Sequence, residues 1–122
     1  MKSGAQYVMV WEFRVRRDSV AEFVLKYGPD GAWARFFRRS KGYIRTELVG
    51  DVADPLRYLT LDYWRSEEEF LSFRQQHLAE YERLDREFEG LTEKETWLGA
   101  FIEGSKWSFL PGGQEAHSSA KS

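Results

Sequence analysis

The 122-residue chain sets 18 Lys and Arg against 20 Asp and Glu, a net charge of -2, so it has no basic footprint for tracking nucleic-acid phosphates. It contains no cysteine, which excludes disulfides, thiolate metal sites and cysteine nucleophiles, and fits a reducing compartment. The length suits one domain, and since no apolar run reaches membrane-span length and MKSGAQ lacks the apolar core of a secretory signal, a soluble, cytoplasmic protein is expected.

The first element in chain order is YVMVWEFRV, Tyr7 to Val15, a predicted strand with Tyr7, Met9, Trp11, Phe13 and Val15 on one side. Asp18 or Ser19 can cap a helix whose Val20, Phe23, Val24 and Tyr27 recur at helical spacing, and Gly28-Pro29 stops it. Asp30 restarts a second helical piece, with Trp33, Phe36 and Phe37 on one face and Arg35, Arg38, Arg39 and Lys41 largely in solvent. Tyr43 to Val49 alternates as a second strand, with Tyr43, Arg45, Glu47 and Val49 against Ile44, Thr46 and Leu48.

GDVADPLR is the turn into a third strand, Arg57 to Trp64. Ser66 stands three residues before Glu69, the spacing of a capping box that opens a long helix from Glu67 to about Glu89. Along it Phe70, Phe73, His77, Tyr81, Leu84 and Phe88 form one stripe. Gly90 closes the helix, and Glu93 to Glu103 is the last strand, with Gly99 marking a bulge or a close backbone approach. The remainder, 104–122, is expected to be an extension: Trp107, Phe109 and Leu110 fold back on the domain, and the chain is mobile from Gly112.

The order strand, helix, strand, strand, helix, strand is the ferredoxin-like βαββαβ plan, an α+β domain over 1–103 with its helices on one face of an antiparallel sheet. The other face would stay bare. Bulky apolar groups fall on both sides of the first and third strands, and aromatic residues make up 16% of the chain, so a homodimer closing two sheets into an α/β barrel is expected.

The segments VWEFRV, YGPDGAWARFFRRSKGYIRTELV and RYLTLDYWRSEEEFLSF together resemble the antibiotic biosynthesis monooxygenase family, over roughly Tyr7 to Glu103. The resemblance implies a dimeric α/β barrel and a pocket between sheet and helices. It also implies either oxidation of phenols by O2 without metal or flavin, or degradation of haem. The haem-degrading branch relies on a strand Asn, a helix Trp and a helix His. This chain has Trp11, Glu12 and Phe13 where the Asn would fall, and Phe73 and a residue near Tyr81 to Arg83 on the helix, so the triad is missing. For the phenol-oxidising branch, Trp64, Tyr63, Tyr81 and Arg74 are side chains of the right type to bind substrate and stabilise an anion.

Among individual residues, His77 interrupts an apolar stripe where Leu would pack better, and an imidazole can take a phenolic proton near neutral pH. Its plain alternative is a satisfied, partly buried His. Asp62 and Glu12 are carboxylates within strands, and Arg14 or Arg45 can supply a cation, so a cross-strand ion pair competes with catalysis. Trp11, Phe13, Trp33, Phe36, Trp64, Phe73 and Tyr81 are expected to line a cleft for a flat ring, or simply to form the core. With His117 as the only other histidine, no metal cluster is expected, and no cofactor. The function expected is a cofactor-independent monooxygenase acting on a planar aromatic or quinone-type molecule, with His77, Tyr81 or Asp62 moving the proton. The competing class is a binding or dimerisation module on the same scaffold.

Overall fold

The strands are where apolar and β-branched residues alternate: β1 spans Tyr7–Val15, β2 Tyr43–Gly50, β3 Arg57–Trp64 and β4 Thr92–Ile102. In the computed structural model, which describes residues 5–103, they form one antiparallel sheet in the order β2-β3-β1-β4. The expected C-terminal extension, with Trp107, Phe109, Leu110 and His117, lies outside the described residues. Four helices complete the fold: α1 at Val20–Tyr27, α2 at Ala32–Phe37, α3 at Glu67–Gln76 and α4 at Leu78–Phe88. This is the ferredoxin-like α+β plan, and no helix among the described residues is long and apolar enough to cross a membrane.

All four helices cover one face of the sheet. Met9, Phe13 and Val15 of β1 and Trp64 of β3 meet Phe23, Tyr27, Trp33, Phe36, Phe37, Phe70, Phe73, Leu84 and Phe88 in a single core. The rings meet tilted or edge-on, as Trp64 does with Phe37 and Phe70 at 5.3 and 5.2 Å, the arrangement that aromatic quadrupoles favour. Gly31 lets α2 start directly after α1, because a Cβ there would lie 2.3 Å from the Lys26 carbonyl oxygen.

Three local expectations need correction. Ser19 occupies the N-cap of α1 but its side chain makes no capping bond, because a 3-10 turn at Arg17–Ser19 leads into the helix. The long helix is broken at His77, whose φ of -123° and ψ of 33° are not helical. No Gly or Pro marks the break; packing does, because Phe70 and Phe73 of α3 seat on Trp64 while Phe88 of α4 reaches Tyr27. In β2 a register shift between Tyr43 and Arg45 moves Tyr43 onto the same face as Thr46, opposite to the side that simple alternation assigns.

The Ser66 cap does form, with its hydroxyl accepting from the Glu69 N–H at 3.1 Å. Gly99, at φ 139°, accompanies the register shift where β4 passes Val10 and Trp11.

Candidate active site

Between sheet and helices lies a cavity of about 90 Å3. Its sheet side is built by Met9, Trp11 and Phe13 of β1, Thr46 of β2, and Thr60 and Asp62 of β3. They converge because the strand registers set Met9 and Thr46 on either side of Asp62, and Trp11 against Thr60. Tyr27, Trp33 and Phe37 close the cavity from α1 and α2, Tyr81 and Asp85 from α4, and Glu95 from β4.

Asp62 is the chemical centre of this space. It is only 8% exposed, and burial pushes its carboxyl up to about 6, against a hydrogen bond from Thr46 that lowers it. Thr46 Oγ1 donates to Asp62 Oδ1 at 2.6 Å, and the Tyr43 hydroxyl lies 2.7 Å from Thr46 Oγ1. Thr46 has one hydroxyl hydrogen, and Asp62 takes it, so with Asp62 ionised Tyr43 is the donor in the second bond. No other donor reaches the Asp62 carboxylate among the described residues.

The ion pair expected for Asp62 is therefore not formed. Arg14 pairs with Asp54, Arg45 with Glu47, and Glu12 with Arg57, which also holds Asp51 at 2.9 Å. The reason is the pleat. Glu12 and Arg14 lie on the open face of the sheet, whereas Asp62 pairs with Met9 on the helix-covered face.

At the helix side, Asp85 and Glu95 both sit above the usual carboxylate range. Burial is the larger cause for each, and the charge of Asp85 adds to the shift at Glu95. Burial likewise pushes the Tyr81 phenol up to about 12 and raises Tyr27. At neutral pH Tyr81 is thus a hydrogen-bond donor and not a base. The Arg74 guanidinium lies over its ring, 5.0 Å from the centroid.

Of the residues singled out in the sequence, Trp11, Phe13, Trp33, Asp62 and Tyr81 line the cavity together. The others stand behind it. Trp64 is fully buried in the core, and Phe36 and Phe73 are buried against each other at 4.9 Å. His77 packs on Phe73 at 4.5 Å and is not in the lining, and neither is Arg74. The helix break accounts for His77: as the junction residue it leaves the stripe that the sequence assigns to it.

Sequence reasoning missed Thr46, Thr60, Asp85 and Glu95. The two threonines look like ordinary strand residues, and the two acids look like solvated faces of an amphipathic helix and an edge strand. One signal was available, since after Arg57 at its start Thr60 and Asp62 are the polar positions of an otherwise apolar and aromatic strand.

The chain matches the family model for antibiotic biosynthesis monooxygenase over residues 6–83. Among solved structures, a candidate antibiotic biosynthesis monooxygenase from Bordetella bronchiseptica aligns with a TM-score of 0.62 at 19% identity, over 82% of this chain and 96% of that one. A second candidate, from Nitrosomonas europaea, gives 0.59 at 15% identity, over 91% and 97%. SnoaB, a cofactor-independent oxygenase from Streptomyces nogalater, gives 0.58 at 18% identity, over 80% and 92%. At these identities the likeness is one of fold. No protein of curated function matches the chain.

Proposed function

Because this chain belongs to the antibiotic biosynthesis monooxygenase family, we propose that it is a homodimeric, cofactor-independent monooxygenase of a small planar aromatic or quinone-type compound. The observation that carries this reading is Asp62: a base held out of water, at the sheet side of a ring-walled cavity. A titratable group inside the cavity favours chemistry over a binding-only module. The likeness to SnoaB supports the cofactor-independent route. About 90 Å3 is well below the several hundred Å3 usual for ligand sites, which favours a single ring over a fused polycycle.

In this reading Trp33 and Phe37 hold the ring, and Asp62 removes a proton from an activated C–H of the substrate. A carboxylate poised near 6 is a stronger base than an ordinary one and is still ionised at neutral pH. The carbanion gives an electron to O2, and the radical pair joins as a C–O bond. Asp62 returns its proton to the peroxide, which loses water to leave a carbonyl. One oxygen atom stays in the product, the other leaves as water, and the substrate supplies every electron.

Oxygen uptake with a panel of single-ring hydroquinones and phenols tests this. The parent is expected to consume O2 with at least one of them, and Asp62→Asn to lower the rate by about 100-fold or more. His77→Ala, which removes a ring packed outside the cavity, should change it by no more than a few-fold. No uptake by the parent with any member overturns the proposal.

A further inference from the structure

The oxygenase reading leaves an electrostatic problem. Proton removal by Asp62 moves its negative charge onto the substrate, in a cavity that also holds Asp85 and Glu95 and has no Lys, Arg or His in its lining among the described residues. Neither Asp85 nor Glu95 makes a salt bridge among the described residues, and the Arg74 charge reaches Asp85 and Tyr81 only from over the Tyr81 ring, outside the lining. An anion at close range to these carboxylates is disfavoured unless a positive charge accompanies it.

Two atoms point to a guest independently of the acidic pair. Asp62 is more than nine-tenths buried, and its Oδ2 meets no donor among the described residues, although the residue lines the cavity. Trp33, 9% exposed and also in the lining, has an indole N–H without an acceptor in full hydrogen-bond geometry, the Tyr27 hydroxyl being a weaker neighbour. A buried N–H is ordinarily satisfied, so the Trp33 indole is an unmet demand of the site, and Asp62 Oδ2 is an acceptor open to the cavity. The ring walls of Trp11, Trp33 and Tyr81 add faces that attract cations. A metal ion does not answer these demands: among the described residues no three acidic or His side chains converge on one point. The carboxylates are spread along the cavity, which suits an extended organic cation.

We propose that the guest of this cavity is an aromatic compound bearing a protonated nitrogen, an aminoalkyl phenol in its simplest form, with its ring against Trp33 and its ammonium between Asp85 and Glu95. This rests on the oxygenase reading and names its substrate class. The substrate brings the counter-charge that the cavity lining lacks, so the species formed after proton removal is neutral overall.

The test is binding of three ring compounds of matched shape, 4-(aminomethyl)phenol, 4-methylphenol and 4-hydroxybenzoate, followed by titration calorimetry at near-neutral pH. The amine is expected to bind roughly tenfold tighter than the neutral phenol, with the carboxylate weakest. Asp85→Asn combined with Glu95→Gln should bring the amine to the level of the neutral phenol and leave the neutral phenol unchanged. Should that variant not fold, the order of affinities on the parent protein decides alone. Equal affinity for amine and neutral phenol, or tighter binding of the carboxylate, overturns the cationic guest and leaves the ring-binding cavity standing. Failure of all three to bind overturns both.

Discussion

Asp62 ties stability to function in a direction opposite to that of most carboxylates. Its pKa rises from an ordinary 3.8 to about 6 on folding, so the folded state holds a proton that the unfolded chain has already released across that interval. Stability is therefore undiminished below about pH 4 and falls as pH climbs to about 6, by about 3 kcal/mol for a shift of this size. Asp62→Asn removes the titration while keeping an oxygen for the Thr46 hydroxyl. Denaturant melts should show the variant more stable than the parent at pH 8 and no more stable at pH 4. A constant difference across that range would mean that Asp62 is not titrating as a buried acid. That an Asp stood out among the rings of β3 was legible from alternation alone, whereas its partner was not. Thr46 and Tyr43 share its face only because β2 slips register between Tyr43 and Arg45, and no residue type in YIRTELV announces such a shift.

Secondary elements followed local chemistry closely where local chemistry was decisive. β1 and β3 have the limits that their period-two patterns assign, β2 runs one residue further, and β4 is shifted by one residue at both ends. The α3 start is set by Ser66, whose hydroxyl satisfies the Glu69 N–H. Ser66→Ala should cost about 1 kcal/mol and lower the melting temperature by about 4 °C, measurable by circular dichroism, with Ser66→Asp retaining the parent value. A melting temperature unchanged in Ser66→Ala would mean that packing of Phe70 and Phe73 alone holds the helix. The break at His77 lay beyond such reasoning. RQQHLAEYERL has helical propensity throughout, and the stripe from Phe70 to Phe88 keeps its period, so only the positions of Trp64 and Tyr27 on the folded sheet show why one helix became two. The same break decides the site. It swings Tyr81 and Asp85 over the cavity and leaves His77 behind on Phe73.

The face of the sheet away from the helices poses the remaining problem at the scale of the molecule. Registers that put Met9, Phe13 and Asp62 under the helices put Val8, Val10, Leu59, Leu61 and Tyr63 on the opposite side, with Phe101 paired to Val8. Phe101 is 52% exposed and Val49 is exposed as well, while the charged network of Glu12, Arg57 and Asp51 rims one end. An apolar centre with a polar rim is the anatomy of an interface, and a second copy of the same face would cover it with a two-fold axis and no new surface chemistry. We therefore expect the parent to sediment at micromolar concentration as twice the 14.4 kDa chain mass. Phe101→Arg places a charge where Val8 and Phe101 meet, outside the helix-covered core, so it should yield a folded single chain. Its far-ultraviolet spectrum should match that of the parent. A parent that sediments as one chain would leave this face wet and remove the reason for a barrel. A variant that still pairs would move the contact to another surface, because burying an unpaired guanidinium costs more than a protein–protein contact of ordinary size can absorb locally.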